Sequence, residues 1–94
     1  MFVAICQMQL SLGGVSSLKQ KRSIVKSVTV RLAQEFRLAT AEVDHHDVWQ
    51  TAGIACAAVG TDQANLHRTL EAAVAWVARN RPDVYIVDYT IEFR

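Results

Sequence analysis

Residues 84–93, VYIVDYTIEF, show the clearest strand pattern in the chain. Aromatic and aliphatic side chains occupy every second position, as expected when alternate residues of a strand point to opposite faces of a sheet. The pattern predicts a half-buried strand. Its core face is predicted to carry Tyr85, Val87, Tyr89, Ile91 and Phe93, and its open face Val84, Ile86, Asp88, Thr90 and Glu92.

The remaining segments alternate between strand and helix patterns. Residues 2–12 predict a strand, and Ser16 or Ser17 is a candidate cap for the helix that follows. Two further strands are predicted near residues 37–43 and 49–59, joined closely enough to form a hairpin. Thr61 or Asp62 begins a second helix that ends near residues 80–83.

This order, βαββαβ, predicts an α+β fold. With right-handed crossovers, it closes most simply as a four-stranded antiparallel sheet with both helices on one face, the ferredoxin-like arrangement. The 94 residues suit a single domain spanning 1–94, and their 51% hydrophobic content indicates a globular core. So short a chain has little room for an enclosed cavity, and no nucleophile and base can be paired from the sequence. We therefore infer no small-molecule substrate and disfavour an enzyme.

Charge is distributed unevenly along the chain. The first 34 residues contain five cations and no carboxylate, whereas eight carboxylates and four arginines follow Leu38. Cations near a helix start oppose the helix dipole unless an anion lies nearby. We therefore predict phosphate or RNA binding at this helix start, against the alternative of an ordinary solvated helix face. The predicted contact residues are Lys19, Lys21, Arg22 and Lys26.

The predicted sheet does not resemble an RNA-recognition surface. Such sheets stack bases on exposed aromatic side chains, and the strand phase leaves no aromatic on the open face of the first and last strands. Any RNA contact is therefore expected from the basic helix start, with little sequence preference.

A small apolar group is predicted on the open sheet face. Four apolar side chains cluster at one end of two neighbouring strands, which suggests a covered surface. Self-association is the simplest cover, giving a homo-oligomer. The predicted contact residues are Val3, Ile5, Val84 and Ile86.

Metal and cofactor signatures are weak. The junction Asp44-His45-His46-Asp47 has the residue types of a metal site, but adjacent residues of an extended strand point to opposite faces. We favour a polar hairpin junction and predict no metal. Cys6 and Cys56 lack metal-type spacing, and glycine-rich nucleotide motifs are absent, so no cofactor is predicted.

The N-terminal apolar run lacks the features of a signal peptide, and nothing approaches a membrane span. We therefore expect a cytoplasmic protein that does not contact membranes, with its cysteines reduced.

Two segments together resemble the YlxP-like family of short bacterial proteins of unknown function: SLKQKR at 17–22 and AEVDHHDVWQ at 41–50. The resemblance implies a ferredoxin-like fold and a bacterial protein often encoded among translation and ribosome-maturation factors. Gln20 stands where the family commonly has glutamate, and His46 where glutamine is common. The family provides no catalytic residues to transfer.

The leading functional interpretation is a non-enzymatic domain associated with RNA or a ribosomal subunit through phosphate contacts. The alternative is a self-associating protein-interaction module with no nucleic-acid role. Salt dependence of binding separates the two, because phosphate contacts weaken steeply as ionic strength rises and apolar docking does not.

Overall fold

The computed structural model describes residues 1–45 and 47–94. Within them the chain forms four strands and two helices in the predicted order. The elements are β1 (Phe2–Ser11), α1 (Leu18–Phe36), β2 (Ala39–Asp44), β3 (Thr51–Gly60), α2 (Gln63–Asn80) and β4 (Tyr85–Phe93).

The four strands form one antiparallel sheet in the order β2-β3-β1-β4. The two strands nearest the middle, β1 and β3, pair over their full length, with Cys6 directly opposite Cys56. The strand order and the two crossover helices confirm the ferredoxin-like α+β fold.

One face of the sheet packs against both helices. Alternate residues of β1, including Ala4, Met8 and Leu10, are buried in the same cluster as Leu32 of α1 and Leu70 of α2. Complete burial of a side chain such as leucine contributes about 1.5–3 kcal/mol. The core therefore fixes the helices on one face and leaves the other face open.

Side-chain caps define where both helices begin. Ser17 Oγ accepts a hydrogen bond from the backbone N–H of Gln20 at 3.1 Å, and Gln20 Oε1 accepts one from the N–H of Ser16 at 2.9 Å. These reciprocal bonds resemble a capping box. Asp62 caps α2 in the same way, through the N–H of Asn65 at 3.2 Å. Within the described residues, neither helix combines enough length and apolar character to cross a membrane.

The second and third strands differ slightly from their predicted bounds. Arg37 was expected to open β2 but adopts a left-handed conformation, with φ of 54°, at the end of α1. Trp49 was expected to open β3, which instead begins at Thr51. The connection between the two strands is therefore longer than the alternation suggests.

The predicted face of β4 is wrong at its beginning. Gln9 pairs with Asp88 but Leu10 pairs with Ile86, so Val87 is an extra residue in a β-bulge. The bulge reverses the side-chain phase before Asp88. Val84 is consequently buried in the helix-side core and Ile86 packs against it, whereas both were predicted on the open face.

The same bulge exposes residues that were predicted to be buried. Tyr85 pairs with Ser11 and is 70% exposed, and Val87 is 60% exposed. Because Ser11 lies on the opposite face from Leu10, Tyr85 lies on the open face. The open face therefore carries one aromatic side chain that strict alternation did not predict.

Candidate functional site

A buried lysine joins the two segments that carry the family resemblance. Lys21 Nζ donates hydrogen bonds to the carbonyl oxygens of His45 and, at 2.6 Å, Val48. The same ammonium lies 3.2 Å from Glu42 Oε2, and the side chain is 1% exposed. The first turns of α1 and the loop after β2 therefore lie side by side.

Further hydrogen bonds hold this loop against the start of the helix. The backbone N–H of Leu12 donates to the carbonyl of Gln50 at 2.8 Å, and Gln50 Nε2 donates to the carbonyl of Val15 at 3.3 Å. Asp44 Oδ1 accepts from the N–H of His45, whose φ is 60°. We refer to residues 44–50, which run from the last residue of β2 to the residue before β3, as the junction loop. His46 lies outside the described residues.

The position of Lys21 corrects one predicted phosphate contact. As one of the four predicted contact residues, Lys21 was expected to extend outward into solvent. Instead it points to the junction loop, where two carbonyl oxygens and Glu42 surround its ammonium group. A side chain with 1% exposure cannot reach a phosphate in solution, so Lys21 is removed from the candidate contact surface.

The other three predicted cations remain exposed on α1. Lys19, Arg22 and Lys26 share one helix face, because their positions differ by three and four residues. Among the described residues, none of them lies within ion-pair distance of a carboxylate. We call these three residues the basic stripe.

The junction loop, which contacts Lys21 of α1, contains both carboxylates and apolar side chains. Asp44 and Asp47 are both exposed in this segment. Val48 and Trp49 are both exposed there. These two residues were not among the predicted contact residues. Their position directly after the polar stretch 44–47 could have indicated that they are exposed.

The open sheet face contains the other predicted contact surface in altered form. Val3 and Ile5 lie on it, as predicted, while Val84 and Ile86 do not. Small residues on neighbouring strands replace the missing pair. Together with Val3 and Ile5, these residues form a surface that we call the apolar half of the open face. They are Ala39, Ala41, Ala55, Ala57 and Val59.

Part of this apolar half is a shallow depression of about 200 Å³, lined by residues of β2 and β3. The alanines could not be identified from the sequence, because their contribution depends on strand pairing, with Ala39 opposite Ala57 and Ala41 opposite Ala55.

The two cysteines are free and buried, as expected. Burial, with a smaller contribution from Glu71, raises the pKa of the Cys6 thiol to about 11. Burial, with a smaller contribution from Cys6, raises the pKa of the Cys56 thiol to about 12. Neither thiol is ionised near neutral pH, so neither is a ready nucleophile there.

Metal-binding residue types do not converge among the described residues: no group of three or more His, Cys, Asp or Glu side chains is arranged to hold an ion. His45 Nε2 lies 3.6 Å from the neighbouring Asp44 Oδ2, and His67 Nε2 lies 3.6 Å from Glu71 Oε1 one turn along α2. Each histidine described is therefore engaged locally.

Two known proteins are similar to this chain, one in sequence and one in structure. The uncharacterized protein YlxP of Bacillus subtilis (strain 168) is 28% identical over 61 residues, which cover 65% of this chain and 66% of that protein. The match therefore spans slightly less than two thirds of the relative's length. A dimeric ferredoxin-like protein from an uncultured marine organism aligns over all of this chain and 94% of its own, with 9% identity and a TM-score of 0.48.

The family comparison covers almost the whole chain. The model for the family described as protein of unknown function (DUF503) matches residues 3–91. Together with the match to YlxP, this confirms the resemblance found in the two sequence segments. The chain belongs to the DUF503 family.

Proposed function

We propose that this protein is a non-enzymatic RNA-associated domain that contacts phosphates through the basic stripe of Lys19, Arg22 and Lys26. The observation that carries the proposal is that these three exposed cations share one face of α1 and have no carboxylate partner among the described residues. Such cations gain from neutralising phosphates, because condensed counterions are then released.

The stripe is suited to backbone contact and not to base recognition. Lysine at two of its three positions provides a mobile point charge, and the residues span about 11 Å along the helix axis at 1.5 Å per residue. The proposal therefore specifies binding that depends little on sequence. The resemblance to bacterial proteins encoded among translation factors favours RNA of a ribosomal subunit as the partner.

Fluorescence anisotropy with three single-stranded RNAs of different sequence tests this proposal. The triple variant Lys19→Gln, Arg22→Gln, Lys26→Gln should bind each RNA roughly tenfold or more weakly, since three charge-assisted contacts are lost. The matched control replaces Arg37, Arg68 and Arg79, which are exposed and make no ion pair among the described residues. Equal loss in both triple variants would contradict a specific role for the stripe.

A second candidate function is favoured by the apolar half of the open sheet face. Val59 is 65% exposed there, and Ile5 lies directly opposite Ala57. An exposed apolar surface of this kind is typical of a protein–protein contact. We infer a homodimer joined through this face as the alternative, with no nucleic-acid role.

A further inference from the structure

A depression on α1 contains polar groups that the proposed RNA contact does not use. It has a volume of about 320 Å³ and is lined by Ser23, Lys26, Ser27, Val30 and Arg31. Only Lys26 belongs to the basic stripe. Ligand pockets begin at about 300 Å³, so the space suits one small group and part of what carries it.

Ser27 is held in place by a hydrogen bond from Arg81. Its Oγ accepts a hydrogen bond from Arg81 Nη1 at 2.6 Å. Arg81 is itself fixed by two hydrogen bonds to the carboxylate of Asp83, at 3.0 and 2.8 Å. Because Ser27 uses only one lone pair in accepting, its own O–H remains available to donate to another acceptor. Arg81 therefore fixes the position of the Ser27 oxygen and brings a positive charge next to it.

Arg31 is also constrained before any ligand binds. Its guanidinium lies 5.4 Å from the centre of the Trp76 ring, an arrangement that favours a cation over an aromatic face. Nη2 makes a 3.4 Å contact with Glu35, while a guanidinium carries five N–H donors. The stacked side chain thus loses less conformational freedom when it binds a ligand than a freely mobile one.

The charges around the depression favour an anion. Lys26 and Arg31 line it, and Arg81 donates a hydrogen bond to its Ser27. Two carboxylates, Glu35 and Asp83, pair with the two arginines. The excess is one positive charge, at Lys26. Hydroxyl, ammonium and guanidinium donors together match the several acceptor oxygens of a phosphate. Val30, 43% exposed, adds an apolar edge that an inorganic ion does not need.

We propose that this depression binds the phosphate group of a phosphate ester, with Lys26, Ser27 and Arg31 as ligands and Val30 against the esterified carbon atoms. The ester is either a free sugar phosphate or one phosphate of an RNA chain. The inference goes beyond the basic stripe, because it specifies one fixed phosphate position and does not require that the protein bind RNA.

The test is a titration of isotope-labelled protein followed by NMR, with inorganic phosphate, ribose 5-phosphate and a short single-stranded RNA as probes. Each probe that binds should shift the backbone resonances of Ser27 and Arg31, and ribose 5-phosphate should bind more tightly than inorganic phosphate because of Val30. If ribose 5-phosphate saturates the site, the ligand is a free phosphate ester. If RNA binds and neither small probe does, the ligand is a phosphate of the RNA backbone.

Two variants separate a built site from general attraction. Arg31→Lys keeps the charge but loses the planar fork, and Ser27→Ala removes the hydroxyl; each should weaken binding of the effective probe about tenfold. Arg68→Lys on α2 is the control and should change nothing. Shifts spread evenly over all lysines and arginines, or unchanged affinity in both variants, would overturn the proposal. One outcome separates this inference from the proposed function. If RNA binding depends less on salt once the basic stripe is replaced, but RNA does not shift the Ser27 resonances of the wild type, the proposed function stands and this inference is refuted.

Discussion

Lys21 and Lys19 lie two residues apart in the same helix and have different roles. Lys19 is exposed, whereas Lys21 is buried and donates to backbone carbonyls of the junction loop. The sequence shows both as lysines in a basic segment. Because the carbonyls that surround Lys21 come from residues 24 and 27 positions away, helical spacing alone could not predict its burial.

Lys21→Met should destabilise the protein by about 2–5 kcal/mol. The substitution retains an apolar stem of similar length but leaves two carbonyl oxygens without the Lys21 donor and removes the ion pair between Lys21 and Glu42. Chemical denaturation measures the change in the free energy of unfolding. Lys19→Met, the matched change at an exposed position, should lie within about 0.5 kcal/mol of the wild type. Equal stability of the two variants would show that Lys21 does not anchor the junction loop.

At the scale of elements, both helices and all four strands follow from local patterns. Ser17 and Asp62 are conventional cap residues, and each performs that function. The errors lie where the chain departs from regular geometry. Alternation of side chains carries no sign of the β-bulge at Val87, because residues 84–87 are all apolar and fit either side-chain phase. Val84 and Ile86 were therefore assigned to the wrong face.

The pairing register of β2 and β3 shifts between Glu42 and Asp44, and this shift favours glycine at position 53. Asp44 pairs with Gly53 after the shift, and a Cβ added at Gly53 would lie 2.7 Å from Asp44 Cβ. Something in the strand pair or the junction loop must then move. Glycine at this position therefore allows β2 to end where the junction loop begins.

Gly53→Ala should accordingly destabilise the protein by about 1–3 kcal/mol, the usual cost of overpacking. Gly13→Ala is the control, because a Cβ at Gly13 meets nothing within 4 Å. That variant should be neutral or up to about 1 kcal/mol more stable, since alanine restricts the unfolded chain. Thermal or chemical denaturation compares the two. Equal stability of both variants would mean that the strand pair absorbs the extra carbon without strain.

For the whole molecule, the sequence predicted the fold but only part of the candidate surfaces. Three cations and two apolar residues lie where they were expected: Lys19, Arg22, Lys26, Val3 and Ile5. The alanines that extend the apolar half can be recognised only from the strand pairing. Ser27 and Arg31 can be recognised only from their contacts with Arg81, which follows α2, and with Trp76 of α2. Surfaces built from distant residues cannot be deduced from local periodicity.

If the open face joins two copies, Ile5→Lys should shift the protein toward monomer, because an unpaired charge is costly to bury. Gln9→Lys, on the same strand and face but between Gly53 and Asp88, is the matched control and should leave the oligomer nearly unchanged. Light scattering measures the molar mass of both. A wild-type protein that stays monomeric at high concentration would exclude this interface.

The salt dependence of RNA binding tests the central claim, that the basic stripe contacts phosphates. For the wild type, the logarithm of affinity should fall linearly with the logarithm of salt concentration between about 50 and 200 mM. Replacing Lys19, Arg22 and Lys26 with glutamine should reduce that slope by about 2–3, because three counterion-release contacts are lost. Glutamine at Arg37, Arg68 and Arg79 should change it by less than about 1. An unchanged slope without the stripe, or wild-type binding that does not respond to salt, would contradict the account.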